Sequence, residues 1–474
     1  MKKLSVWALM ATMLVAGSAF AARPSSVTVN ATYPSGAPTT TNNDDSCDIG
    51  VAPAATLLLP YFEVDITPNV AAANTTLFTV TNVSRQPQIA HVTLWTDWSY
   101  PVLDFNIFLT GYDVQAINLY DIIARGQVAP LTGTSSATTP GARSATNNTA
   151  GNPNFASGAA ASCGPGPQGG GQIPTPLQAD VRSGLTVGKY SLCGNTSIGS
   201  NHGATTAVGY ATIDVANICS TTLPTEPSYY ANEILFDNVL IGDYQQVNPN
   251  ATTGNYAQGN PMVHIRAIPE GGLAGSTPGT NLPYTFYTRY QSALTPTRDR
   301  RQPLPSVFAA RFIEGGATGF VTDYKIWREG TTGANATCAQ YGGTATITGN
   351  ADLAVSDIVR FDERENPFTY TGSTNFSPLP TNIITLPETS RTSTASSAFP
   401  AMTSGDVAGW MYLNLDNQEF QRASQNWVIV SMFAEGRYAV DFDAAWLGNG
   451  CSAPEDVTTE DNTNPIGPAP NVTP

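Results

Sequence analysis

Residues able to do chemistry are few in this chain, and their spacing limits what they can do. Three histidines, His91, His202 and His264, are the whole imidazole supply of 474 residues, which restricts proton-shuttling mechanisms near neutral pH. No Gly-x-Ser-x-Gly elbow, His-Glu-x-x-His helix, phosphate-cradling loop or Gly-x-Gly-x-x-Gly turn occurs in a fitting context. The familiar arrangements for serine hydrolysis, zinc proteolysis and nucleotide binding are therefore missing, and no catalytic residue is assigned. On a strand, His91 shares a face with Thr93, Trp95 and Asp97, but alternate residues stand about 6.6 Å apart, too far for His91 to touch Asp97 directly. A partly buried structural histidine is the expected role. His264 and Arg266 also share a face, beside the turn-like Pro269-Glu270-Gly271-Gly272; a satisfied strand pair is expected there ahead of an anion pocket.

Carboxylates form two sets. Asp362, Glu363 and Glu365 surround Arg364, while Asp441 and Asp443 fall on one face of a strand. Like charges this close raise a pKa, bind Ca²⁺ or are neutralised by arginine, and the third outcome is the commonest. Neither set has the spacing of a calcium-binding loop, so no cofactor is expected, Ca²⁺ at Asp441 and Asp443 being the candidate to test. Because glycosidases need only two acids at the right separation, a carbohydrate-active hydrolase is the enzymatic alternative. The basic knot Arg298-Asp299-Arg300-Arg301, with Arg311 beyond it, stands out in an acidic chain. It is expected to dock on Asp362, Glu363 and Glu365 as an ion-pair network that ties two modules together. Trp95, Trp98 and Tyr100 are candidates for a glycan-stacking platform. Trp95 and Trp98 have opposite parity on a strand, so only part of that set can face one side, and a core tryptophan is the first expectation.

The elements that must position these groups begin with an export signal. Lys2 and Lys3, the apolar run Leu4 to Ala16 and the small residues of Ala19-Phe20-Ala21 match the three regions of a cleavable signal peptide over residues 1–22, with no basic stop-transfer flank behind it. The run is short for a membrane span, and no transmembrane segment is expected after cleavage. Export means an oxidising compartment, so the six cysteines, Cys47, Cys163, Cys193, Cys219, Cys338 and Cys451, read as three disulfides with 15 conceivable connectivities. Cys193 with Cys219 is preferred because the alternating run Tyr210 to Val215 between them can return the chain as a strand. Closing that loop stabilises the fold by roughly 3 to 4 kcal/mol in the chain-entropy model. Cys338 with Cys451 and Cys47 with Cys163 follow by elimination.

The formal charge of −15 becomes −17 once the two lysines of the signal are removed. That field disfavours polyanions, and nucleic acid is not expected as a partner. Charged residues make up only 12% of the chain, about half the usual ~25%, so Thr, Ser, Asn and Gln must solvate much of the surface. Beyond the signal only Lys189 and Lys325 remain as lysines; nearly all positive charge is arginine, which pairs with carboxylates in planar, bidentate fashion.

Residues 23–46, 131–172 and 452–474 are dominated by Thr, Ser, Gly, Pro, Ala and Asn and hold too little apolar surface to offset the entropy of ordering. They divide the chain into an N-terminal module, 47–130, and a larger region, 173–451, of one or two modules. Between them the hydrophobic period is two. Thr75 to Val83, Ile89 to Thr96, Val102 to Leu109, Val114 to Leu119, Ala207 to Val215, Met262 to Ile268, Tyr284 to Tyr290, Val307 to Ile313, Val321 to Trp327, Trp410 to Leu415, Trp427 to Phe433 and Tyr438 to Phe442 read as strands. Glu435-Gly436-Arg437 marks a tight hairpin. No run of three helical turns is convincing; Asn232 to Leu240 is the best candidate and reads equally as a strand. The fold class is all-β, two or more β-sandwich-like modules with long disordered loops; a closed barrel ranks second and an outer-membrane barrel lower still, because the strands are uneven and the tail is Pro-rich.

The block Gly50 to Asp65, with Thr93-Leu94-Trp95-Thr96-Asp97-Trp98, Phe108-Leu109-Thr110-Gly111-Tyr112-Asp113 and Asp299-Arg300-Arg301-Gln302-Pro303-Leu304-Pro305, resembles the opening of a group of uncharacterised exported proteins of Gram-negative bacteria. The resemblance implies export from such a cell and carries no activity or site residue. The expectation is thus a secreted, periplasmic or cell-surface protein without enzymatic activity, used in structure, adhesion or assembly, with a surface component, a glycan or a second copy as partner. A glycan- or calcium-binding module is the further alternative.

Overall fold

The structure, a computed structural model, describes residues 49–67, 73–127, 173, 175–194, 196–218, 222–249, 256–270, 282, 284–290, 299–316, 319–330, 353–354, 357–365, 367–368, 385–394, 408–415, 424–434 and 438–447. The signal at 1–22, the three low-complexity segments, Cys47, Cys163, Cys219, Cys338, Cys451, Arg298 and the Glu435-Gly436-Arg437 turn lie outside the described residues, and with them all three proposed cystine pairings. Cys193 is described, and it is not a free thiol.

In chain order the strands are β1 (Thr56–Asp65), β2 (Thr75–Asn82), β3 (Gln88–Thr96), β4 (Pro101–Leu109), β5 (Val114–Asn118), β6 (Thr206–Ala216), β7 (Leu240–Asn248), β8 (Tyr256–Pro261), β9 (Val263–Ile265), β10 (Val307–Ile313), β11 (Phe320–Arg328), β12 (Leu353–Ala354), β13 (Asp357–Asp362), β14 (Pro367–Phe368), β15 (Thr385–Leu386), β16 (Thr389–Ser393), β17 (Ala408–Asn414), β18 (Asn426–Ala434), β19 (Tyr438–Asp443) and β20 (Ala445–Trp446). Helices are short: α1 (Leu119–Ile123), α2 (Thr175–Thr186) and α3 (Pro227–Asn232). The chain is therefore an all-β protein of several antiparallel sheets. A first sheet runs β4-β3-β6-β1-β9, a second β5-β2-β7-β8, a third β16-β11-β18-β19 and a fourth β14-β13-β17-β10-β20, with β12 and β15 as a small pair.

Two halves follow from the packing. The first and second sheets meet through β1 against β2 and β7, and the third and fourth through β10 against β11 and β18. β1 also reaches β11 and β16, and β8 lies beside β19, so the halves share a junction lined by both. A single hydrophobic cluster runs through it. The first sheet seats β6 between β3 and β1, so strands from both sides of the 131–172 segment share hydrogen bonds. The boundary expected at that segment does not separate two sheet systems.

Local sequence explains most elements. β2 alternates half-buried and buried residues along its whole length, the signature of a strand with one face on a core. β1 does not alternate: seven consecutive residues, Thr56 to Phe62, are buried, as expected for a strand covered on both faces. Its Pro60 cannot donate to a ladder, and the β1–β6 register shifts between Leu59 and Phe62, where a bulge accommodates it. Asn118 ends β5 and starts α1, its side chain accepting from Tyr120 N at 3.0 Å as an N-cap.

Three expectations are corrected. Tyr284 to Tyr290 is no strand but a turn with a 3-10 segment at Thr288–Tyr290, because its aromatic residues pack in all directions instead of on one face. Asn232 to Leu240, the best helical candidate though it reads equally as a strand, is neither along its length: a helix ends at Asn232 and β7 begins at Leu240. The helix without forecast, α2, buries only Val181, Gly184, Leu185 and Thr186; its sequence carries too narrow an apolar stripe to announce itself.

Candidate functional site

The β3–β4 turn, Asp97 to Tyr100, gathers more polar and aromatic chemistry than its four residues suggest. Ser99, at its tip, adopts φ 59°, a left-handed conformation that a non-glycine residue holds only where its surroundings fix it. The turn thereby sends Asp97 and Trp98 toward one side and Ser99 toward the other.

On the outer side, Asp97 accepts from Ser200 N at 2.9 Å and lies 3.2 Å from His202 Nε2. Trp98 Nε1 donates to Ser200 Oγ at 3.0 Å, and Thr96 Oγ1 donates to Ile198 O at 2.6 Å. Gly199 lets this strap pass: a Cβ there would come within 2.8 Å of Asp97 Oδ1. Tyr100 packs on Tyr190 with ring centroids 5.5 Å apart, and its hydroxyl lies 3.5 Å from Cys193 Sγ. Trp98, Tyr100, Tyr190 and His202 all remain partly exposed.

On the inner side every group is buried. Arg289 donates to Glu388 Oε2 at 2.7 Å, to Ser99 Oγ at 2.9 Å and to Tyr210 OH at 3.1 Å. Ser99 also donates to Glu388, and its Oγ stands 2.6 Å from Tyr210 OH. Burial raises the Glu388 carboxyl, with Arg289 and Ser99 pulling it back. Burial likewise pushes the Tyr210 hydroxyl up to about 12. Gly330 closes this pocket, since a Cβ on it would overlap the Glu388 carboxyl. Trp95 is fully buried, stacked between Tyr210 at 5.7 Å and Tyr290 at 5.8 Å, with its Nε1 donating to Thr212. The three residues singled out as a glycan platform thus divide: Trp95 belongs to the core, while Trp98 and Tyr100 share the outer side. Ser99, fully buried beside an arginine and a carboxylate but no imidazole, has no access to a substrate.

Of the expected network, Arg311 pairs with Glu363, while Arg301 is engaged elsewhere. Arg301 pairs instead with Asp299 at 3.1 Å and lies 3.5 Å from Asp214, and it donates to Leu235 O at 3.0 Å. Asp214 also accepts from Tyr229 and Tyr287 at 2.7 Å each and from Thr56. Arg300 lies over the Phe236 ring at 4.8 Å and donates to Pro269 O. Sequence proximity supplied the partner, since Asp299 sits within the knot itself. At the other set, Glu363 pairs with Arg311, both exposed, Asp362 accepts from Arg364 N at 2.7 Å, and Glu365 turns the chain at φ 64°.

Asp441 is buried against Lys325, Nζ to Oδ2 2.6 Å, both side chains wholly inaccessible. Asp443, on the same face of β19, reaches solvent and accepts from Asn260 at 2.7 Å and Trp427 Nε1 at 3.1 Å. Partial desolvation raises its carboxyl to about 6 despite those donors. The two aspartates thus have different partners, Lys325 for Asp441 and the Asn260 and Trp427 donors for Asp443. Among the described residues no group of three or more His, Cys, Asp or Glu side chains is assembled to hold a metal.

His91 Nδ1 lies 2.9 Å from Asn106 Oδ1, and its ring packs on Tyr229. His264 Nε2 accepts from Gly242 N at 3.1 Å, and burial lowers its pKa to about 4. Both are interior residues. An open concavity of about 320 Å³ over the second sheet is lined by Leu77, Ile117 and Tyr244 with Asp121 and Asp243; Arg125 pairs with the first carboxylate and Thr79 with the second.

Sequence reading missed Arg289, Glu388, Asp214 and Lys325. One signal was available, because a charge inside an apolar run such as Tyr210 to Ala216 requires a buried partner. Among the described residues no helix is long and apolar enough to cross a membrane. The chain matches no known family model, no curated protein and no solved structure.

Proposed function

We propose that this is an exported, non-enzymatic β protein with a structural or adhesive role at the cell envelope. The observation that carries the reading is the use of its charged groups. Arg289 with Glu388, Arg301 with Asp214 and Asp299, and Lys325 with Asp441 face inward and join separate elements, with the half-buried Arg391 bridging Asp323 and Glu63 beside them. Groups of the kind that catalysis uses are here directed at one another, in a body whose surface strands are rich in Thr, Gln and Asn. Such wiring fits a protein whose work is to hold its shape. Fractionating the producing cells and sizing the native protein tests this: envelope-associated or assembled material supports it, and recovery as a small free periplasmic monomer overturns it.

A second reading is favoured by the outer side of the β3–β4 turn, where Trp98 and Tyr100 remain partly exposed beside Asp97 and His202. Aromatic faces next to hydrogen-bonding groups suit sugar rings, and the adhesive role would then be glycan contact. Glycan-array binding lost in Trp98→Ala and Tyr100→Ala supports it; binding that survives both changes removes this surface from the role.

A further inference from the structure

We propose that Lys325 and Asp441 condense into an intramolecular amide, an isopeptide cross-link that ties β11 to β19 across the intervening β18. The two residues stand 116 positions apart in sequence and on strands that flank β18, so the bond would close the third sheet covalently.

The geometry is that of a reacting pair. Lys325 Nζ lies 2.6 Å from Asp441 Oδ2 with both side chains fully buried. A carboxyl oxygen at that distance leaves its carbon at roughly the 3–3.5 Å separation of a near-attack arrangement. Water is excluded, and Tyr244 covers the amine with its ring centroid 6.0 Å away. Burial lowers the Lys325 pKa against the opposing pull of Asp441, which favours the neutral, nucleophilic amine. Asp441 Oδ1 has no hydrogen-bond partner among the described residues, nor do the nearby hydroxyls of Ser431, its register partner on β18, and Tyr244. An ion pair left with an orphaned oxygen is poorly compensated, whereas an amide removes both buried charges.

The choice of residue points the same way. The other interior cations in ion pairs, Arg289, Arg301 and Arg360, are guanidiniums, which do not deprotonate. Lys325, one of two lysines beyond residue 22, is an interior cation that can become a nucleophile, and it is placed against a carboxylate.

The step balances without a further reactant. The ammonium proton passes to the carboxylate, giving a neutral amine and a carboxylic acid; the amine attacks Cγ and the C–N bond forms, a proton passes from that nitrogen through Asp443 to the departing hydroxyl, the C–OH bond breaks, and one water leaves. Asp443 is the proton carrier in this scheme. It lies two residues along on the same face, interacts electrostatically with Asp441 and touches solvent, so it links the closed pair to bulk water. Asp323 and Arg391, also on this face, are occupied with each other at 2.6 Å.

The full-length protein purified from exporting cells provides the test. After reduction and denaturation it is digested with a protease that cuts only after unmodified lysine and analysed by mass spectrometry. Expected are protection of the bond after Lys325, normal cleavage after Lys189, and a single fragment running from residue 190 past Asp441 that is lighter than its sequence by one water. Complete cleavage after Lys325 with no mass deficit overturns the proposal and leaves a plain ion pair. Lys325→Arg should restore the full mass; a deficit that persists in it overturns the assignment to this pair. Asp443→Asn should slow linkage by roughly a hundredfold, read as the linked fraction in freshly exported chains, and an unchanged fraction removes Asp443 from the scheme.

Discussion

The third sheet has two faces, and they are held by different physics. Toward the fourth sheet it presents Tyr324, Ile326, Val428, Val430 and Met432, met by Phe308, Ala310, Phe312, Met411 and Leu413; even Arg360 in this layer lies over the Phe312 ring at 4.1 Å. Toward the first and second sheets it presents Asp323, Lys325, Ser431 and Asp441, with Arg391 alongside. The apolar layer gains from area, about 25 cal/mol per Å², and tolerates trimming in proportion. The charged junction gains only when every partner is present, because each unpaired charge would bear its full desolvation penalty. Strength in the first layer is graded; in the second it is conditional.

The contrast breaks most sharply at Arg289. Arg289→Met leaves Glu388 buried without its cation and should lower unfolding free energy by about 3–5 kcal/mol in denaturant titration, while Arg289→Met with Glu388→Leu should recover most of that loss. Equal losses in the single and double variants would show that this charge pair is not conditional. Next comes His264. Its pKa of about 4 lies below the unfolded value of about 6.5, so the unfolded chain binds the extra proton first. Its stabilising contribution is present above pH 6.5 and is lost as pH falls toward 4, by roughly 3 kcal/mol in all. His264→Gln should flatten the stability curve over that interval, and an unaltered slope would assign the acid sensitivity to other groups. In the apolar layer Ile326→Val should cost about 1 kcal/mol, the ordinary effect of one methylene; a cost above 3 kcal/mol would mean that this face is as unforgiving as the other. Smallest is the exposed pair. Arg311→Gln, which frees Glu363 at the surface, should change stability by less than about 1 kcal/mol and less still in high salt.

Period-two patterning located β2, β3, β4, β6, β10, β11, β17, β18 and β19 to within a residue or two, because each alternates or carries a β-branched and aromatic run. It did not announce β1, whose unbroken apolar run has no period to read, nor β7, whose alternation is masked by Gly242 and by polar residues on both faces. Trp95 lies in the core, the first expectation for it, whereas the cation beside Asp441 is Lys325, 116 positions away, which spacing along one strand gave no means of finding. Nor did sequence reading find the partners of Arg301, which are Asp299 within the knot and Asp214 on β6 instead of carboxylates about sixty positions away.

Composition and periodicity alone determined that this chain is sheet, poor in imidazole and strongly acidic, since those properties belong to residues singly or to spacing along one strand. Which charges meet was decided only by folding. Asp214 with Arg301, Glu388 with Arg289 and Asp441 with Lys325 come from strands and turns that the sheet order brings together. Pair energies depend on separation and on exclusion of water, and neither quantity exists until the sheets have stacked.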